Sequence, residues 1–237
     1  MDERCKLAHA NLMAGTCPWC GQAIINGTVE DGSFGREASR DVAVDARFCD
    51  VASLRQMVAD VGPLESQRAA RYVEEVARQL SSVYSLAPLH GAVRPENIFI
   101  DDTGTAELGP GICAQSGNFA DVVGKSSVVD MMVDAAGVVD WLAPEQALNS
   151  TTADRRADIY SLGCTLYFLL TGRPPFGEGS ISERLVKHQT ADPEPIAGLR
   201  SDVPEGLAQV CAKMMTKKPD DRFQSTEEVA AALAAFR

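Results

Sequence analysis

The stretch from Asp158 to Leu170 constrains the fold more than any other part of the chain. Its apolar side chains recur on nearly every side of a helix instead of along one stripe: Ile159, Leu162, Leu166, Phe168, Leu169 and Leu170. A helix of this kind must be covered on all sides, whereas a surface helix needs only one apolar face. The sequence therefore predicts a domain built around one central helix, with other elements packed against it.

Several amphipathic segments can supply that cover. The spacing of their apolar side chains predicts helices over 53–61, 66–86, 181–189, 205–215 and 226–236. Two short apolar runs, 98–100 and 105–108, are predicted to form a β-hairpin across the turn 101–104, which contains Asp and Gly. The expected fold class is therefore α+β, with a mainly α-helical body.

The composition is that of a globular protein with an acidic surface. The chain has 237 residues, 45% of them hydrophobic, which is enough for one large domain or two small ones. A net charge of -11 repels phosphate backbones and anionic lipids, so no nucleic-acid or membrane partner is expected. No apolar run approaches the roughly 18 to 20 residues of a membrane span, and no secretory signal is expected. Seven cysteines, an odd number, suit a reducing cytoplasm, where we expect the protein.

Residues 90–97 carry the sharpest functional motif, His-Gly-Ala-Val-Arg-Pro-Glu-Asn. It resembles the catalytic loop of the protein kinase family, H-R-D-x-x-x-x-N, with His90 and Asn97 at the family's spacing. The resemblance implies a packed, structural His90 and an Asn97 that holds magnesium, while an Asp at position 92 would accept the substrate hydroxyl proton. Position 92 is Ala, which cannot accept a proton, and Gly91 replaces the arginine. The chain is therefore expected to lack the catalytic base.

Three further motifs extend the resemblance over residues 50–237: the segments 140–145, 158–176 and 218–223. They are similar to the A-P-E motif, the buried central helix with its following loop, and a late arginine motif of bacterial-type serine/threonine kinases. The resemblance implies structural roles, in which Asp158 bonds the backbone of the catalytic loop and Arg222 pairs with Glu145. It also implies a kinase-like fold, with a helical C-lobe.

The small N-lobe of the family is expected to be reduced to a stub. No lysine occurs between Lys6 and Lys125, so the lysine that grips the α- and β-phosphates of ATP is absent. The chain between Asp45 and Ser53 is too short for the helix that carries its glutamate partner. We therefore divide the chain into an N-terminal segment, 1–50, and a C-lobe-like domain, 51–237.

The main magnesium-binding group of the family is also expected to be missing. By spacing from Asn97, Pro110 stands where the Asp of the D-F-G motif would hold the main magnesium ion, and with one deletion Gly109-Pro110-Gly111 takes the place of the motif. Neither alignment puts a carboxylate there, so binding of ATP and magnesium is not expected. Asn97 and Arg94 remain, and Arg94 takes the place of the lysine that approaches the γ-phosphate. Nearby carboxylates that could restore the chemistry are Glu96, Asp101, Asp102 and Glu107.

The N-terminal segment contains a candidate metal knuckle, Cys17-Pro-Trp-Cys20-Gly21. Two thiolates at this spacing can grip one tetrahedral zinc ion, and the glycine permits the tight turn. The motif resembles half of a zinc-ribbon site, and Cys5 and His9 could supply the other two ligands. Two alternatives remain open, a relic turn with reduced thiols and a redox dithiol.

Three functional hypotheses follow from the sequence. The first is a pseudokinase, a catalytically inactive kinase domain kept as a binding or regulatory module. Its partner would be a protein, such as an active kinase or a second copy of the chain. The alternatives are an active serine/threonine kinase with atypical ATP binding, and a zinc- or redox-dependent regulator that works through Cys17 and Cys20.

Overall fold

The computed structural model describes residues 52–85, 88–109, 137–148 and 153–237, and the backbone of three short strands nearer the N-terminus. The chain divides into two compact units, Met1–Val51 and Ala52–Arg237. In the first unit the strands form an antiparallel sheet in the order β1, β2, β3. Their bounds are β1 Ala14–Thr16, β2 Ala23–Ile25 and β3 Thr28–Val29.

The second unit is mainly helical, as the apolar periodicity predicts. Its described helices are α1 (Leu54–Val61), α2 (Ser66–Val83), α3 (Pro144–Leu148), α4 (Arg155–Thr171), α5 (Ile181–Thr190), α6 (Ile196–Leu199), α7 (Glu205–Met214) and α8 (Thr226–Leu233). The predicted hairpin is formed by β4 (Ile98–Ile100) and β5 (Ala106–Leu108), in which Phe99 lies opposite Glu107. Single 3-10 turns lie at Pro95–Asn97, Pro219–Asp221 and Ala234–Phe236.

Helix α4 lies at the centre of this unit. Every residue from Ala157 to Leu170 is buried, which confirms the all-round cover that its sequence demands. Helices α2 and α7 pack directly against it. The approach of α7 depends on Gly163, because a Cβ atom there would lie 2.8 Å from the Cβ of Met214. The helix ends at Gly172, whose φ of 77° is a left-handed conformation that glycine adopts without strain.

Helix α2 supplies the second layer and ends earlier than predicted. It buries Tyr72, Val73, Val76 and Leu80, but it stops at Val83 and not at residue 86. The N–H group of Tyr84 donates to the carbonyls of both Leu80 and Ser82, which tightens the last turn before the chain leaves the helix. The apolar pattern of the sequence continues to residue 86, so it could not predict that the helix ends at Val83.

A buried histidine holds α5 against α4. His188 is fully buried, and its Nδ1 lies 2.9 Å from the hydroxyl of Tyr160. Its ring meets the ring of Phe176 edge-on, with centroids 4.8 Å apart. Burial lowers the pKa of His188 to about 3, and the positive charges of Lys217 and Arg184 act in the same direction. The imidazole is therefore neutral in the folded protein at neutral pH.

This burial predicts a loss of stability in mild acid. The pKa of His188 is about 6.5 in the unfolded chain and lower in the folded one, so the unfolded chain takes up a proton first as pH falls. From pH 7.5 to pH 5, His188 alone should lower the free energy of unfolding by roughly 2 kcal/mol. Urea unfolding of the wild type and His188→Asn at both pH values measures this. The asparagine amide can keep a bond to Tyr160 but does not titrate, so equal losses in the two proteins would contradict the prediction.

Candidate functional site

The loop between α2 and β4 is anchored by a single buried carboxylate. Asp158 Oδ2 accepts hydrogen bonds from the backbone N–H of His90 at 2.7 Å and from the Tyr84 hydroxyl at 3.1 Å. Its Oδ1 accepts from the N–H of Gly91 at 2.8 Å. Burial raises the pKa of Asp158 to about 6, although the three donors favour its charged form. Gly91 has a φ of 75°, a backbone that suits glycine at this sharp turn.

His90 connects this loop to the end of β5. Its side chain is buried, with Nε2 3.0 Å from the carbonyl oxygen of Gly109, and its Nδ1 accepts from the N–H of Ala92 at 3.4 Å. Burial lowers the pKa of His90, so the ring is neutral with its proton on Nε2. The ring joins two segments of backbone, and its contacts are those of a packed, structural residue.

Asn97 is built into the same loop. Its Nδ2 donates to the carbonyl oxygen of Ala92 at 3.0 Å. Its backbone carbonyl accepts from the N–H of Gly109 at 2.8 Å. A Cβ atom on Gly109 would lie only 2.3 Å from Asn97 Oδ1, so only glycine fits there. The asparagine amide thus lies between the base position of the loop and the residue that precedes Pro110. Pro110 itself lies outside the described residues.

Of the four carboxylates predicted as possible substitutes for a catalytic base, two have partners in the described part of the chain, Asp101 and Glu96. Asp101 closes its own turn, since Oδ1 accepts from the N–H groups of Thr103 at 2.9 Å and Thr105 at 2.8 Å. These bonds lower the pKa of Asp101. Glu96 points Oε1 toward Arg55, at 3.8 Å. Asp102 is exposed on the same turn as Asp101, and Glu107 is half-buried on β5.

A charged cluster lies beside the loop, and its members come from four different parts of the chain. Arg55 of α1 stacks over the ring of Phe168, 5.2 Å from the ring centre, while Arg184 of α5 donates to Asp140 at 2.6 Å. Burial raises the pKa of both Glu96 and Asp140, and the nearby arginines act in the opposite direction. Sequence analysis missed Arg55, Asp140 and Arg184 as a group, because no short motif contains them.

The remaining structural residues, Arg222 and Glu145, form a largely buried ion pair, in which the glutamate side chain is 17% exposed. Arg222 donates from Nη1 to Glu145 Oε1 at 2.7 Å and from Nη2 to Oε2 at 2.8 Å. The arginine is 2% exposed. The pair ties the segment before α8 to α3, and the guanidinium also lies over the ring of Tyr160. It holds the scaffold and offers no group to a substrate.

The predicted zinc ligands Cys5, His9, Cys17 and Cys20 lie outside the described residues. Within the described part of the chain, no group of three or more His, Cys, Asp or Glu side chains could hold a metal ion. The described helices also include none that is long and apolar enough to cross a membrane. The zinc site therefore stays a prediction.

The central buried helix, the loop anchored on its aspartate and the Glu145–Arg222 pair together define the C-lobe of a protein kinase. The sequence model of the family described as "Protein kinase domain" matches residues 34–233. The chain therefore belongs to the protein kinase family, and the predicted kinase-like fold is confirmed. The match begins at residue 34, upstream of the range 50–237 over which the sequence motifs resemble the family.

Curated relatives point to one branch of this family. The serine/threonine-protein kinase PknB of Mycobacterium leprae is 31% identical over 186 residues, which is 78% of this chain and 29% of that protein. PknB of Mycolicibacterium smegmatis is 32% identical over 187 residues, again 78% of this chain and 29% of the relative. PknD of Mycobacterium tuberculosis is 34% identical over 191 residues, 80% of this chain and 27% of its own length. The chain thus spans less than a third of these relatives.

Proposed function

We propose that this chain is a pseudokinase, a kinase domain without phosphotransferase activity that serves as a binding or regulatory module. One observation carries the proposal: the catalytic loop keeps its anchor on Asp158, while the base position holds Ala92. A loop that retains its structural contacts but lacks the catalytic base is expected in a protein whose function requires binding and not phosphate transfer. Its partner would be a protein, either an active kinase or a second copy of the chain.

The chemistry of phosphoryl transfer explains why the loss is severe. Catalysis is positioning plus electrostatic stabilisation of a highly charged transition state. Removing one such stabilising group commonly costs about 2.7–4 kcal/mol, and here the strand lysine, its glutamate partner and two aspartates are missing together. These losses are not additive, but each one alone slows the reaction strongly.

Asn97 carries no group that could replace the catalytic base, since its side chain is a neutral amide. Its Nδ2 is bonded within the loop, and its Oδ1 packs against the backbone of Gly109. Glu96 lies near Arg55, and Asp101 accepts hydrogen bonds within its own turn. Neither carboxylate is therefore placed as a ready substitute for the base. An active kinase with atypical ATP binding is therefore the weaker alternative.

The proposal predicts that millimolar ATP and magnesium leave the thermal unfolding of the protein unchanged. A ligand present at a hundred times its dissociation constant would stabilise the folded state by about 2.7 kcal/mol, a readily visible shift. The same samples, incubated with labelled ATP and a general protein substrate, should transfer no phosphate. An active serine/threonine kinase domain in parallel serves as the positive control.

The matched control is Asn97→Ala. A magnesium-dependent rise in unfolding temperature that disappears in this variant would show a working nucleotide site. Together with phosphate transfer lost in the same variant, it would overturn the proposed function. Unfolding temperatures that ATP and magnesium leave unchanged in both the wild type and Asn97→Ala would support the proposed function.

A further inference from the structure

A groove lies between α7 and the segment that leads into α6. Its volume is about 480 Å³, which is within the range of pockets that bind ligands. The lining is mostly apolar and includes Tyr167, Ile196, Ala208, Ala212 and Met215. None of its described lining residues belongs to the catalytic loop. The groove is therefore a candidate binding surface outside the site already described.

One wall of the groove is fixed before any partner binds. The hydroxyl of Tyr167 donates to the carbonyl oxygen of Glu194 at 3.0 Å. Pro193 and Pro195 stand on either side of that residue, and their rings restrict the backbone on both sides of the bond. The opposite wall is the regular helix α7. A groove that is already formed loses little conformational entropy when a partner binds.

The lining of the groove has an excess of negative charge. Asp192, Glu194 and Glu205 line it, against one cation, Lys213. Three carboxylates and one ammonium group leave an excess of two negative charges, and Arg173 offsets one of them by pairing with Glu194 at 2.5 Å. The charge of the groove therefore favours a basic partner, as does the net charge of -11 on the whole chain.

The carboxylates of Asp192 and Glu205 are placed to meet such a partner. Glu205 accepts a hydrogen bond from the side-chain amide of Gln209 at 3.0 Å, and a neutral amide does not cancel its charge. Asp192 is exposed, and its charge acts on Lys217. The Nζ of Lys217 is buried, so it presents no ammonium group to a molecule in the groove.

The shape of the α7 wall suits a helical partner. From Glu205 to Lys213 this wall is about 12 Å long, which matches about eight residues of a second helix. Ala208 and Ala212 lie one turn apart and have short side chains, so a second helix can approach α7 closely. An extended strand would find no free sheet edge on this wall, because the backbone of a helix forms its hydrogen bonds internally.

We propose that this groove binds an amphipathic helix of a partner protein. Its apolar side chains would fill the groove, and its lysine or arginine side chains would meet Asp192 and Glu205. This is the helix-in-groove mode of recognition, in which side chains at helical spacing anchor the partner. The inference rests on the proposed function in one respect, that the chain works by binding a protein, but it uses no residue of the catalytic loop.

The test uses a fluorescein-labelled peptide of about 14 residues, roughly four helical turns, with leucines on one face and lysines on the other. One twin has the same composition in scrambled order, and a second has glutamate in place of lysine. Fluorescence anisotropy with the full chain should show that the basic helix binds about ten-fold more tightly than either twin. The scrambled twin lacks a continuous apolar face, and the acidic twin is repelled by the carboxylates.

Two matched variants show whether the peptide occupies this groove. Ala212→Arg places a long cationic side chain on the groove wall and should abolish most of the preference for the basic helix. Ala231→Arg makes the same change at an exposed position of α8 that is not part of the described lining, and it should leave the preference unchanged. Both alanines are exposed, so both variants should keep the unfolding temperature of the wild type.

Glu205→Gln tests the contribution of charge. It keeps the shape of the side chain and should weaken binding of the basic helix several-fold at low salt. The difference should shrink at high salt, because salt screens the interactions of exposed charges.

Three results would overturn the inference. The first is equal binding of the basic helix and either twin. The second is a preference that survives Ala212→Arg or that Ala231→Arg removes equally. The third is a wild-type dimer in sedimentation that Ala212→Arg dissociates, since a second copy of the chain would then occupy the groove. Each result would leave the ATP test of the proposed function unaffected.

Discussion

Arg222→Met is expected to lower the free energy of unfolding by about 3 to 5 kcal/mol, because it removes one partner of a buried ion pair. Arg222 forms both of its charged bonds with Glu145 and donates to the backbone carbonyls of Thr216, Lys217 and Arg156. Methionine roughly keeps the volume of the side chain. The Glu145 carboxylate loses its counter-charge, and three carbonyls lose a donor.

Urea unfolding at neutral pH measures this loss, and the chain offers a matched control. Arg173 pairs with Glu194 at 2.5 Å, but the two side chains are 48% and 55% exposed. Arg173→Met should therefore cost at most about 1 kcal/mol. Replacing both Arg222 and Glu145 by apolar residues should recover much of the loss, since no unmatched charge remains. Equal losses of unfolding free energy in Arg222→Met and Arg173→Met would show that the burial of the Arg222–Glu145 pair does not increase its contribution to stability.

Asp158→Ala is expected to have a comparably large effect and to loosen the catalytic loop. The variant leaves the N–H groups of His90 and Gly91 and the hydroxyl of Tyr84 without their acceptor. An orphaned buried donor costs about 1–3 kcal/mol; the bond of the His90 N–H is buried and the other two are part-buried, so the total loss should be roughly 3 kcal/mol. Local hydrogen exchange at His90 and Gly91 should rise more than in the core of α4.

Tyr84→Phe provides the control for this prediction. It removes one donor to Asp158 and leaves both backbone bonds, so the expected loss is about 1 kcal/mol. Exchange at His90 and Gly91 should stay close to that of the wild type. If Asp158→Ala lowered the free energy of unfolding no more than Tyr84→Phe does, and exchange at His90 and Gly91 did not rise, the carboxylate would not be the anchor of the loop.

Much of the architecture could be predicted from the sequence because it depends on local pattern. The all-round apolar stretch predicted the central helix α4, and alternating faces predicted α2, α5, α7 and α8 near their observed bounds. The partners of Asp158 and Arg222 were named by resemblance, because their motifs are kept in full. The end of α2 at Val83 was not predictable, since a hydrogen-bonded turn there interrupts a continuing apolar pattern.

The sequence by itself determined which chemical groups are absent: Ala92 cannot take a proton, whatever the fold around it. Only the tertiary structure decided what the remaining groups do. It placed Asn97 against Gly109 and brought Arg55 next to Glu96, 41 positions along the chain. The physical reason is that a side chain's identity is local, whereas its hydrogen bonds and charges depend on packing between distant elements. That packing also leaves Nε of Arg94 and Nε1 of Trp141 without a hydrogen-bond partner in the described part of the chain.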